Sequence, residues 1–202
     1  PVMFWIHGGG NTSGVKDYYD FSEFIKQQQV IVVTINYRLG PMGWFTHPAI
    51  QGPQNGLDKT SNFGTLDIIQ ALRWVQNNIT EFGGDSDNVT IFGESAGGHN
   101  VLSLLSSPIS NGLFHKAISQ SGYTTTFTLE EAFGSDLNGD TVNELGSDLA
   151  LSQNDLSGYG SIKKLYMEDP LKYGKEFQRY LRSIDGKDLF NAEKIQIVVS
   201  PL

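Results

Sequence analysis

The sequence predicts an α/β architecture, a mostly parallel sheet flanked by helices, and three observations carry that reading. Short β-branched runs alternate with longer segments whose apolar residues recur at helical spacing. The runs are apolar almost throughout instead of alternating, as in parallel strands covered on both faces. A serine flanked by glycines, in "VTIFGESAGG" (89–98), stands where one run gives way to a helical segment.

Taken in order, "VMFWIH" (2–7) reads as the first strand and "DYYDFSEFIKQQQ" (17–29) as the helix after it. "VIVVTINY" (30–37) is the second strand. The helix at 66–79 follows, with Leu66, Ile69, Leu72, Trp74 and Val75 at its apolar positions. "NVTIFG" (88–93), a helix at 96–107 and "KAISQS" (116–121) complete the alternation, which implies right-handed crossovers between parallel strands. From about Tyr123 the texture turns polar, acidic and helical, through "TLEEAF", "DTVNELGSDLALS", "SIKKLYM" and "PLKYGKEFQRYLRSI", with one further strand expected at "IQIVV" (195–199). No internal repeat is visible. The division that follows is 1–122 as the central part of a sheet core and 123–202 as a helical insertion region.

With 202 residues, 39% of them hydrophobic and 18% charged, the chain can bury a sizeable core. A formal charge of -8 disfavours nucleic acid or an anionic membrane as a partner. The absence of cysteine removes disulfides, thiolate nucleophiles and cysteine metal sites from these residues. No apolar run approaches the roughly 18 residues of a membrane span. Sequons at Asn11, Asn78 and Asn88 fit glycosylation in a secreted eukaryotic protein, although chance produces such triplets more often. Compartment and oligomeric state stay open.

A lone G-x-S-x-G says little, and context decides its meaning. Here it closes a predicted strand and opens a predicted helix, the setting of a nucleophile elbow in which Gly93 and Gly97 clear space across a strained turn and Gly98 lets the helix approach the sheet. The helix beginning at Ala96 aims free N–H groups and its positive end toward Ser95, where oxyanion charge develops in acyl transfer. "HGGG" (7–10), directly after the first strand, supplies bare backbone N–H groups for the other half of an oxyanion hole. Either piece alone fits a flexible turn; both in this order point to acyl transfer at the serine.

These motifs resemble those of the type-B carboxylesterases, the family of cholinesterases, lipase-like esterases and their non-catalytic adhesion relatives. "FGGDSDNVTIFGESAG" (82–97) satisfies every position of that family's serine signature, and "NYRLGPMGWF" (36–45), "GTLDIIQALRWVQNNI" (64–79) and "LFHKAISQSG" (113–122) are similar to it as well. The likeness is dense over residues 1–122 and loose beyond. Trp44 and Ile68 depart from the commoner Phe and Gln, away from the chemistry.

The resemblance implies an α/β-hydrolase fold, Ser95 as nucleophile, and Gly9, Gly10 and Ala96 as oxyanion donors. It also implies a buried acid at Glu94 that shapes the field, a serine at Ser121 bonded into the catalytic network, and a structural Arg38–Asp67 salt bridge. Read from the residues alone, Glu94 is equally an exposed elbow residue and Ser121 a strand-end hydroxyl. A small-molecule ester is the implied substrate, and no metal or cofactor is implied.

The missing piece is a base. In this fold the chain order is Ser, acid, His, and no histidine follows His115. His7 opens the oxyanion loop, His47 precedes Pro48 in a loop, His99 lies on the helix leaving the serine, and His115 sits at an exposed strand start. Together with the abrupt beginning at Pro1, this leads to the expectation of a fragment whose triad acid and histidine lie outside these residues. The competing reading is a non-catalytic adhesion or scaffold relative, against which the chain retains Ser95, "HGGG" and Ala96.

Overall fold

The computed structural model describes residues 1–134, 151 and 158–188. The chain divides into two compact units, one comprising Pro1–Leu39 and Asn62–Thr125, the other Gly40–Ser61 and the described residues after Thr125.

The first unit is built on a four-stranded parallel sheet. Strands β1 (Val2–Ile6), β2 (Ile31–Thr34), β3 (Val89–Glu94) and β4 (Lys116–Gln120) lie in the order β2-β1-β3-β4. Phe4 stands opposite Val33 on one side and Ile91 on the other, and Phe92 stands opposite Ile118. Because side chains alternate across a strand, Val2, Phe4, Ile6, Val89 and Ile91 form one fully buried set. The helix after β3, Ala96–Ser106, packs on β3, β4 and β1. The opposite set, Met3, Trp5, Phe92, Glu94, Ile118 and Gln120, lines an open cleft of about 470 Å³ together with Tyr19, Phe21 and Phe24.

Helix α1 runs Ser22–Gln28, shorter than the 17–29 read from spacing. The Asp20 carboxylate accepts the Ser22 amide at 2.9 Å and holds residues before it in a turn, while Gln29 ends the helix at φ 51. Two four-residue helices, α2 (Pro41–Trp44) and α3 (Pro48–Gln51), lie where the sequence offered no periodic signal; each starts on a proline, whose fixed φ suits the first helical position. Helix α4 (Phe63–Asn78) buries Ile68, Ile69, Leu72 and Val75, and α5 is the Ala96–Ser106 helix. Strand β4 corrects the expectation of strands buried on both faces. It is one of the two sheet edges among the described residues, mostly exposed, with Ile118 46% exposed because its face opens on the cleft. The strand expected at 195–199 and the stretch 141–150 lie outside the described residues.

The second unit is helical. Helices α6 (Leu129–Phe133), α7 (Tyr159–Glu168) and α8 (Pro170–Ser183) accompany α2 and α3. Asp169 caps α8 by accepting the Lys172 amide at 3.0 Å. Phe45, Ala49, Leu151, Tyr159, Ile162, Phe177 and Leu181 form its core. His47, read from sequence as a loop residue, is a fully buried cap of α3: its Nδ1 accepts the Ala49 amide at 3.1 Å, and its ring meets Phe177 and Phe133 edge-on at 4.7 and 4.9 Å. Among the described residues no helix is long and apolar enough to cross a membrane.

Candidate active site

Ser95 joins the end of β3 to the start of α5 with φ 55 and ψ -121, a backbone region that L-residues enter only when the surroundings impose it. The surroundings are visible. A Cβ at Gly97 would lie 2.0 Å from the Ile6 carbonyl, one at Gly93 would lie 2.5 Å from the Gly97 backbone, and one at Gly98 would lie 2.6 Å from the Gln120 carbonyl. Each glycine therefore sits where backbone meets backbone. The Ser95 amide donates to the Gln120 carbonyl at 2.9 Å and its carbonyl accepts the His99 amide at 2.9 Å, so the elbow is tied to both β4 and α5.

The "HGGG" loop leaves β1, the neighbour of β3, and reaches the elbow directly. Gly8 is buried against it: a Cβ there would stand 2.6 Å from the Glu94 carbonyl and 3.3 Å from the Ser95 Cβ. Gly9 and Gly10 are exposed, and among the described residues their amides donate to no protein acceptor. The orientation of those amides follows from the carbonyls across their peptide bonds. His7 Nδ1 donates to the Gly8 carbonyl at 2.8 Å, which turns the Gly9 N–H the opposite way in a trans peptide. The Gly9 carbonyl accepts the Thr12 and Ser13 amides at 3.1 and 3.0 Å, which does the same for Gly10 N–H.

A buried polar cluster stands behind the loop. His7 is fully buried and its ring stacks on Tyr37 at 4.4 Å; burial holds its pKa below the ordinary histidine value, against the opposing effect of the Gly8 bond. The Tyr37 hydroxyl donates to the His7 carbonyl at 2.5 Å and lies 3.4 Å from Asn11 Oδ1, and burial raises its pKa well above the ordinary phenol. Asn100, on α5, donates to Asn11 Oδ1 at 2.8 Å. Asn11 is itself fully buried, so the first sequon is closed to a glycan.

The other residues singled out from the sequence fall as follows. Ala96 is the first residue of α5 and fully buried. Glu94 is half-buried, at the cleft end nearest the elbow, its Oε2 3.2 Å from where a Gly8 Cβ would be. Ser121 follows β4 with φ 52 and is exposed. Arg38 and Asp67 form a bidentate pair outside the elbow, at 2.7 and 2.8 Å. His99 lies flat on Tyr123 at 4.2 Å with Nδ1 turned to the Tyr123 carbonyl, and burial lowers its pKa. His115 Nδ1 accepts the Val89 amide at 3.2 Å. Tyr37 and Asn100 were not singled out from the sequence, and Asn11 only as a sequon. The one visible signal of this cluster was an asparagine directly after three glycines, since Asn tolerates the left-handed region next best to Gly.

A parallel sheet whose central strand turns through a serine into a helix, beside a glycine loop from the adjacent strand, is the α/β-hydrolase fold. The carboxylesterase family model matches residues 1–195, and the chain belongs to that family. It is 48% identical over 134 residues to the para-nitrobenzyl esterase of Bacillus subtilis, covering 65% of this chain and 26% of that protein. To the cocaine esterase of Homo sapiens it is 53% identical over 122 residues, 60% of this chain and 21% of the other. Among solved structures, a Geobacillus stearothermophilus carboxylesterase superposes with a TM-score of 0.73 at 33% identity, over all of this chain and 38% of that one. A PNB esterase gives 0.69 at 35% with the same coverage. The chain thus spans between 21 and 26% of these two curated relatives.

Proposed function

We propose that Ser95 is the nucleophile of a serine carboxylic ester hydrolase acting on small-molecule esters. In this reading, the chain supplies the serine and the oxyanion donors, and the triad acid and histidine come from outside these residues in the full-length protein. Ser95 Oγ attacks the ester carbonyl carbon as the histidine takes its proton; the tetrahedral oxyanion is held by the N–H groups of Gly9, Gly10 and Ala96. The C–O bond then breaks, the alcohol leaves with the proton, and water repeats the sequence on the acyl-enzyme to release the acid.

The observation that carries this reading is the strained backbone of Ser95 at φ 55, with Gly8 wedged against it and the Gly9 and Gly10 amides unpaired. Membership of the carboxylesterase family and the esterase relatives support it. Retention of the serine and both glycine donors weighs against a non-catalytic scaffold. The test is covalent labelling of the full-length protein by a fluorophosphonate, with the adduct mapped by mass spectrometry. The adduct is expected on Ser95 and absent from Ser95→Ala; labelling that persists in that variant moves the nucleophile elsewhere.

A further inference from the structure

We propose that Asn100 and Asn11 are positioning residues for the oxyanion hole, a side-chain bond that sets its two halves in register. The inference rests on the reading of Ser95, Gly9, Gly10 and Ala96 given above. Those donors come from two separate segments, the loop after β1 and the start of α5, and their mutual placement decides whether they meet one oxygen.

Three consecutive residues, Gly9, Gly10 and Asn11, have positive φ, at 106, 63 and 56. The run closes a turn of its own, in which the Gly9 carbonyl accepts the Thr12 and Ser13 amides, but those bonds lie within the loop and do not fix it against α5, and its two glycines are the most permissive residues there are. The run is also held at both ends. At its start the Tyr37 hydroxyl fixes the His7 carbonyl. At its end Asn11 Oδ1 takes the Asn100 amide at 2.8 Å, with the Tyr37 hydroxyl close by at 3.4 Å.

Asn100 is on α5, five residues beyond Ser95, so this bond ties the glycine run to the helix whose first amide is the third donor. Asn11 and Asn100 are both fully buried, where water does not compete for the bond. Neither side chain is required by the sheet or by the elbow glycines. Loss of the bond frees the Gly9 and Gly10 amides to drift relative to Ala96. Misplacement on the order of 1 Å costs about 10²-fold in rate.

The test uses the full-length protein with Asn100→Ala, Asn11→Gly and the double variant. Asn11→Gly removes the acceptor yet keeps the left-handed backbone freedom, and serves where Asn100→Ala fails to fold. Each single variant is expected to lower kcat on an aryl ester by roughly 10- to 100-fold with KM within about 2-fold. Affinity for a trifluoromethyl ketone, which forms an oxyanion on the serine, is expected to fall in parallel. The double variant should be less than additive, because both substitutions remove the Asn100–Asn11 bond. Unchanged kcat and ketone affinity, with only the melting temperature lowered, overturn the proposal and leave a purely structural bond; so does an additive double variant. Fluorophosphonate labelling is run alongside. Absence of a Ser95 adduct in the unmutated protein overturns the nucleophile reading, whereas a Ser95 adduct with unaltered ketone affinity in the variants overturns only the positioning role.

Discussion

Arg38 holds Asp67 by two parallel bonds, Nε to Oδ2 at 2.7 Å and Nη2 to Oδ1 at 2.8 Å, and the Arg38 main-chain amide adds a third to Oδ2 at 3.0 Å. The guanidinium also lies over the Phe63 ring at 5.4 Å. The pair is partly open, with side chains 51% and 29% exposed, so solvent screens most of the charge attraction. The three bonds are not lost together. Arg38→Ala leaves its amide bonded to Asp67, while Asp67→Ala removes all three. Urea unfolding is therefore expected to show Asp67→Ala as the costlier change, at about 1–2 kcal/mol, with a coupling between the two side chains of at most roughly 1 kcal/mol. Equal costs would show that the main-chain bond contributes no more than the Phe63 contact that Arg38→Ala also removes.

The elbow glycines predict a sharper contrast. A Cβ on Gly97 would meet the Ile6 carbonyl at 2.0 Å, and neither partner is a flexible side-chain end. Gly97→Ala is expected to cost more than about 3 kcal/mol and to yield little folded protein. Gly174 lies inside α8, and a Cβ there would touch only the Tyr166 ring at an ordinary 3.8 Å. Gly174→Ala should raise stability by roughly 0.5–1 kcal/mol. Thermal melts of the two variants make the comparison.

How much of this was legible in the sequence depends on the range of the signal. The four strands and the helices α4 and α5 followed from runs and spacing, and the Gly93, Ser95, Gly97 cluster followed from a motif whose glycines each face backbone. The short helices at Pro41 and Pro48 hold four residues each, too few to show a period. Edge exposure of β4 was invisible because "KAISQ" has the composition of a strand whatever lies beside it. The contact between Asn11 and Asn100 spans 89 positions, and no local pattern announces a hydrogen bond at that separation.

Acid should destabilise the fold before the carboxylates titrate. His7 and His99 are both buried and both held below the ordinary histidine pKa chiefly by desolvation. A histidine in the unfolded chain protonates near 6.5, so below that pH the unfolded state takes up protons that the folded state refuses. Stability from these two groups is therefore constant above about pH 7.5 and falls as pH drops through about 6.5 toward their lowered folded values. Urea unfolding at pH 7.5, 6.5 and 5.5 measures the slope, and His99→Gln should flatten it. A slope that is flat across this range, or unchanged by the substitution, rejects the assignment.

The last prediction concerns the base. General-base catalysis needs an imidazole nitrogen within hydrogen-bond reach of the serine hydroxyl, about 2.6–3.2 Å. Among the described residues no histidine nitrogen is bonded to Ser95 Oγ, and each histidine is engaged elsewhere. His7 gives its Nδ1 proton to the Gly8 carbonyl and keeps Nε2 buried; His99 gives its own to the Tyr123 carbonyl and does likewise. The free lone pair of His115 faces the Val89 amide. Within the second unit, His47 Nδ1 caps α3 and its Nε2 meets the Tyr159 hydroxyl at 3.3 Å. Using His115 or His47 as base would leave an amide or hydroxyl without its partner, at about 1–3 kcal/mol each, and bringing the buried Nε2 of His7 or His99 to the serine would turn the ring off the carbonyl it holds. Residues 1–202 produced alone are accordingly expected to show at most the residual of an oxyanion hole without its triad, about 10³- to 10⁴-fold over water. The measurement is hydrolysis of an activated aryl ester by monomeric protein, with Ser95→Ala prepared identically. Turnover at the level of complete esterases that disappears in Ser95→Ala would mean that one of these four histidines leaves its partner and serves the serine.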